Sequence, residues 1–435
     1  MCLDRAGKVE TSLDWSSDHG LEPDLSHPFD ILAGVIRRLT LLSFVLFALA
    51  ACVQHPVEQG EQLIGAIYPL TGPQAAGGKQ ELAGVKAALA VSASNGGNAH
   101  YRFEIISATT PEEASAAVDK LVHDRVPVIL GTYGSTLSAA ASARAEELKT
   151  VYWETGAVAD PITAQRRYVF RTVATGSALG RMAVTFTHDV LVPQMKVAVP
   201  RAAVVRVNDI YGRSVGGGEE ALAKAMGIQV VDVIEYDPRA FDADVIAVRL
   251  AADRADFLWD VSYLDDGVAI WQALLRNHVS FKAAIGTSSA FFMPEFSLRV
   301  GSGSVGVYAA DKPDGDINPA ALSPAGSALL AKLRAELDRT KTPLDIPAVA
   351  GFVGGWTLFH KVLPRLSTPL TSESIRAAAL KVDVPTGDSI NGGGVKFGAA
   401  GSLDEGQNTR AAAVIGQWQG IGVMKILYPP AYATT

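Results

Sequence analysis

The side chains able to do chemistry in this 435-residue chain are poorly grouped for catalysis. Its eight histidines are scattered, with no HExxH or similar pairing. The two cysteines, Cys2 and Cys52, exclude a disulfide framework and a cysteine-rich zinc site. Residues 212–216, GRSVG, satisfy GxSxG literally, but no histidine sits in a motif that would make it that serine's base. Residues 301–306, GSGSVG, satisfy GxGxxG literally, but a dinucleotide site needs a strand before and a helix after, and Val307, Tyr308 and Ala309 read as a strand. Gly216, Gly217 and Gly218 are not followed by GK[ST], so there is no P-loop. What remains is a set of short loops of small and hydroxyl residues: 131–135, leading into Ser135 and Thr136; 154–157, holding Glu154, Gly156 and Ala157; and 286–289, holding Ser288. A hydroxyl beside free N–H groups where a strand delivers a helix is a ready anion site. The same hydroxyl can simply cap the helix, and one residue can do both. This is chemistry for holding a ligand rather than transforming it, and no enzymatic activity is expected.

The elements that must position these loops follow from periodicity. Short apolar runs at 63–67, 103–107, 126–130, 151–153, 202–207, 229–234, 256–261, 281–285 and 305–309 read as strands. Between them, apolar residues recur at helical spacing, as in Leu82, Val85, Ala88 and Leu89, or Ala114, Ala117, Val118, Leu121 and Val122. Strands alternating with helices predict an α/β fold with parallel sheets covered on both faces. Ligands in such sheets bind beyond the carboxyl ends of the strands. Longer helices are expected over 323–339 and 347–366, and a closing strand pair over 412–417 and 423–427. Composition is that of an ordinary globular protein, 48% hydrophobic and 19% charged, with a formal net charge of −7. No basic block suggests a nucleic-acid partner.

Four segments carry a resemblance: IGAIYPLTGPQAAGGKQELAGVKAAL from Ile64, VILGTYGSTLSAAASARAEELKTVYWETGAVADPIT from Val128, RYVFRT from Arg167, and the D-x-YG run at Asp209. Together, over about residues 63–427, they resemble the branched-chain amino acid and amide class of periplasmic binding proteins serving ABC importers. That resemblance implies two doubly wound lobes joined by crossing hinge strands, with a ligand trapped between them. It places 63–177 with 309–405 in one lobe and 178–308 with 406–428 in the other. It also implies a monomer with no cofactor and no metal, whose partners are a small-molecule ligand and the importer's permease subunits. A ligand-sensing protein of the same fold is the alternative. By the same resemblance, Ser135 holds a ligand carboxylate, with Thr136 beside it. Gly156 and Ala157 offer backbone groups, and Tyr211 lines the cleft from the other lobe. The sequence departs from the family pattern at Val158, where a threonine is expected. It departs again at Ser288, where a glutamate normally pairs with a ligand ammonium. An ammonium buried without a counter-charge is costly, so Glu154 or Asp260 must serve, or the ligand has no ammonium. The small residues Ala76, Gly77 and Gly78 stand where some relatives place an aromatic, leaving room for a bulkier ligand. Tyr133, Tyr152, Trp153, Trp259 and Tyr263 stand near strand ends and are candidates to line it.

The segment RRLTLLSFVLFALAAC, from Arg37 to Cys52, fits a bacterial lipoprotein signal: two arginines, an apolar centre too short to span a bilayer, and small residues before a cysteine. Lipid on the Cys52 thiol would anchor the protein to a membrane in the periplasm or cell envelope. Residues 1–51 are read as upstream segment and signal peptide, and 52–62 as a tether. Residues 1–36 carry seven acids and two bases, the wrong sign for a leader, so translation is expected to start later, at Val35. No further apolar run of membrane-spanning length is expected after Cys52.

Overall fold

The computed structural model describes residues 62–94, 101–288 and 290–434. The signal peptide, Cys52 and the tether as far as residue 61 lie outside these. The first lobe opens β1 (Gln62–Tyr68), α1 (Ala75–Ser94), β2 (Tyr101–Ser107), α2 (Pro111–His123), β3 (Val128–Gly131), α3 (Ser135–Glu147), β4 (Val151–Glu154) and β5 (Val169–Arg171). The second continues with α4 (Gly176–Phe186), β6 (Arg201–Val207), α5 (Ile210–Ala225), β7 (Gln229–Tyr236), α6 (Ala243–Asp253), β8 (Phe257–Val261), α7 (Leu264–Arg276), β9 (Ala283–Thr287), α8 (Pro294–Val300) and β10 (Tyr308–Asp311). Helices α9 (Pro324–Thr340), α10 (Ile346–Trp356) and α11 (Ser372–Ala379) return to the first lobe, and β11 (Val414–Gly420) with β12 (Val423–Tyr428) ends in the second.

The first sheet is parallel, in the order β2-β1-β3-β4-β5. Its inner strands are apolar throughout because helices cover both faces. α1, α9, α10 and α11 pack on one face, and α2 and α3 on the other. The second sheet runs β12-β11-β10-β9-β8-β6-β7. Its five strands from β6 to β10 are parallel, while β11 and β12 pair antiparallel at one edge. The expected α/β architecture of two parallel-sheet lobes is therefore present.

Three local expectations need correction. The strand expected over 305–309 is Tyr308–Asp311, preceded by a 3-10 turn at Gly301–Ser304. The GxGxxG run thus precedes a strand rather than a helix. Consequently residues 309–311, assigned above to the first lobe, belong to the second sheet. Gln407 and Asn408, assigned to the second lobe, instead bond to the end of β5 and the residue after it: Gln407 Oε1 accepts from Arg171 Nε at 2.6 Å, and Asn408 Nδ2 donates to the Thr172 carbonyl at 2.8 Å. Finally, Ile346–Arg365 is an apolar helical run of 20 residues, long enough to cross a membrane, yet 83% buried inside the fold. It is a core helix, and its glycines explain its fit. Gly84 of α1 sits so close to α10 that a methyl there would lie 1.9 Å from the Ala348 carbonyl oxygen.

Candidate functional site

The carboxyl ends of both sheets face one cleft. β1 ends at Tyr68, β3 at Gly131 and β4 at Glu154; across from them β6 ends at Val207, β8 at Val261 and β9 at Thr287. The loops that follow bring Ser135, Gly156, Ala157, Tyr211 and Ser288 around a single cavity of about 20 Å³, together with Tyr133, Gly134, Val158 and Tyr263. Five of the seven candidate ligand residues thus converge, from four separate loops and both lobes. Ser288 sits at φ 59°, in the left-handed region. Such backbone is costly for a non-glycine residue and clusters at binding sites.

Ser135 Oγ accepts from the Ala159 N–H at 3.1 Å, tying the first loop to the second. A hydroxyl also has a proton to donate. The N-cap of α3 is Gly134, which offers no side-chain acceptor to the first N–H groups of the helix. Those groups have no intrahelical partner either. Thr136 faces a second, larger cavity of about 530 Å³ that adjoins the first through Tyr263. Its hydroxyl donates to Asp209 Oδ2 at 3.2 Å, across the cleft. Asp209 also accepts from the Tyr263 hydroxyl at 2.8 Å and from the Gly212 N–H at 2.9 Å, capping α5. Further bonds cross between the lobes. Asp160 N–H donates to Ser214 Oγ at 3.1 Å, and the Tyr133 hydroxyl reaches Met293 Sδ at 3.9 Å.

Glu154 does not face the cleft as a counter-charge. It is fully buried, and its Oε1 accepts from the Gly156 and Ala157 N–H groups, both at 2.7 Å. Its Oε2 accepts from Thr132 N–H at 3.3 Å and from the Ser138 hydroxyl. The backbone donors expected to serve a ligand are therefore spent on an internal carboxylate, which fastens both loops. Below it lies Glu81 of α1, whose Oε1 accepts from Thr155 Oγ1 at 2.5 Å. Burial drives Glu81 up to about 8, helped by the charge of Glu154, and drives Glu154 up to about 7. Glu154 has four donors around it, while the Oε2 of Glu81 has no partner. Glu81 is therefore the member of the pair that keeps the proton. Sequence reading missed Glu81, although the signal existed: it lies four residues before Val85 and seven before Ala88, on the apolar face of α1.

Asp260, the other acid considered, is also buried away from the small cavity, with Oδ1 accepting from Ser262. Trp153, Trp259 and Tyr152 are core residues, each fully buried. Trp153 donates to the Gly354 carbonyl at 2.9 Å and Trp259 to Thr187 Oγ1 at 3.1 Å. Of the five aromatics considered, Tyr133 and Tyr263 line the cavities. The space left by Ala76, Gly77 and Gly78 is not open: the Tyr133 ring fills it, and a methyl on Gly77 would lie 2.3 Å from Tyr133 Cζ.

The profile of the periplasmic binding protein family matches residues 61–420. The chain belongs to that family. It is 27% identical over 415 residues to Leu/Ile/Val-binding protein homolog 8 of Brucella abortus (strain 2308), covering 92% of this chain and 96% of the relative. The fold is that of solved binding proteins. The isoleucine-bound LivJ of Streptococcus pneumoniae superposes with a TM-score of 0.69 at 17% identity, over 85% of this chain and all of that one. A benzoate-bound solute-binding protein of Rhodopseudomonas palustris gives 0.69 at 18% identity, over 86% of this chain and 97% of that one. Members of this family are extracytoplasmic components of ABC-type transporters that bind small solutes; it is not a family of enzymes.

Proposed function

We propose that this periplasmic binding protein is a lipoprotein, anchored through Cys52, that captures a small carboxylate-bearing solute between its lobes. It then hands that solute to the permease subunits of an ABC importer. The observation that carries the carboxylate is the start of α3. Its N-cap supplies no side-chain oxygen, and its first three residues, Ser135, Thr136 and Leu137, line the two adjoining cavities at the meeting of the lobes. Uncapped N–H groups and the positive end of the helix dipole favour an anion there. Capture proceeds by hinge closure, with bonds such as Thr136 to Asp209 locking the lobes once the cleft is filled. A thermal-shift screen of the purified protein against amino acids, amides and organic acids tests this reading. At least one carboxylate should raise the melting midpoint in a concentration-dependent way. No shift with any carboxylate would refute it.

A further inference from the structure

The site is missing the feature an amino acid needs. A buried ammonium requires a carboxylate with lone pairs to spare. The glutamate expected at position 288 is a serine, and Glu154 is consumed by four donors of its own loops. Asp311, at the end of β10 beside Ser288, is buried and pairs through Oδ1 with Lys312 at 3.0 Å; its Oδ2 has no partner, but Asp311 lines neither cavity. The acids that line the larger cavity are also engaged. Asp209 takes three donors, Asp265 pairs with Arg299 at 2.6 Å, and Asp266 accepts from Tyr236. Among the described residues lining the two cavities, every carboxylate already has its partner.

Size points the same way. The small cavity holds about 20 Å³, room for about one water molecule, because Tyr133 lies against Gly77 and fills the inner cleft. The adjoining cavity of about 530 Å³ lies within the usual range for organic ligands. Its walls are largely apolar and come from both lobes: Pro69 and Leu137 on one side, Phe241, Leu264 and Ala269 on the other. Leu137 also belongs to the first turn of α3, so a carboxylate seated on that turn would point its body into this space.

We infer that the ligand is a carboxylic acid without an α-ammonium, whose apolar body occupies the larger cavity while its carboxylate rests on the first turn of α3. This deepens the proposed function and rests on it. Calorimetric titration of the unmodified protein with three probes tests it: L-leucine, 4-methylpentanoate (the same skeleton without the amine) and 3-phenylpropionate. The deaminated acid should bind at least tenfold more tightly than leucine, and the aryl acid at least as tightly as the deaminated one. Ala269→Trp, which fills the larger cavity, should weaken 3-phenylpropionate at least tenfold. Tighter binding of leucine than of 4-methylpentanoate would overturn the inference alone, since a carboxylate would still be captured. So would unchanged affinity for 3-phenylpropionate in a folded Ala269→Trp protein. Failure of all three probes to bind would overturn this inference, and would overturn the receptor reading beneath it only if no carboxylate in the thermal-shift screen binds either.

Discussion

At the scale of single residues, the site differs from a generic amino-acid cleft through substitutions that compensate one another. The small residues of the opening loop do not leave the cleft empty, because Gly77 allows the Tyr133 ring to lie against it. Gly77→Ala should therefore destabilise the protein by about 1–3 kcal/mol, the usual cost of overpacking. Tyr133→Ala in the same chain should recover most of that loss, and a double-mutant cycle by chemical denaturation reads the coupling. Ser135 accepts from the Ala159 N–H and, on the proposed reading, offers its proton to a ligand. Ser135→Ala should weaken carboxylate binding by about 1–3 kcal/mol in a titration, whereas unchanged affinity would restrict Ser135 to joining the two loops. Which small residues converge was legible from the strand–loop–helix pattern. The fate of Glu154 was not, because a carboxylate that ends a strand can turn outward to a ligand or inward to its own loop amides. The pairing of Glu154 with the Gly156 and Ala157 N–H groups depends on a loop geometry that spacing does not encode.

At the scale of elements, the parallel sheets were readable because buried strands such as β1 and β3 are almost wholly apolar. The element limits most open to error were those with weak local signals. β10 starts three residues later than expected, since Val305 and Val307 are apolar but flank a left-handed Gly306 at φ 94° that breaks the extended run. Its last residues, together with Gln407 and Asn408, show why the crossing segments could not be bounded from sequence. The lobe of the β10 residues is decided by pairing with β9 and β11, and that of Gln407 and Asn408 by long-range hydrogen bonds to Arg171 and Thr172, rather than by local pattern. The apolar run at α10 reads by composition as a membrane span, and only its burial against α1 assigns it to the core. That packing rests on close backbone approach. Gly84→Ala would set a methyl 1.9 Å from the Ala348 carbonyl oxygen, and a methyl on Gly351 would lie 2.0 Å from the Glu81 carbonyl oxygen. Gly84→Ala should cost at least about 1–3 kcal/mol in urea denaturation. A stability matching that of the unmodified protein would contradict this packing.

At the scale of the whole molecule, burial has placed several acids where their charged forms are disfavoured. Glu81, Glu219 and Asp260 are pushed up to about 8 and Glu154 to about 7, in each case chiefly by loss of water. In the unfolded chain these groups titrate near their ordinary values of about 4. Between those limits the folded protein binds more protons than the unfolded chain, so stability must fall as pH rises. The melting midpoint should be higher near pH 5 than at pH 8, falling most steeply between about pH 5 and 7 and levelling off once pH passes the folded values of about 7 to 8. A midpoint that climbed over this range would show that these carboxylates are charged and satisfied in the folded state.

On the proposed reading, the two lobes, their three crossings and the bonds from Thr136 to Asp209 and from Asp160 to Ser214 belong to a molecule that works by closing over a solute. Small-angle X-ray scattering of the purified protein, with and without a saturating carboxylate identified by thermal shift, tests that claim most directly. The account expects the radius of gyration to contract on ligand addition and to return when the ligand is dialysed away. An unchanged radius at saturation would contradict capture by lobe closure.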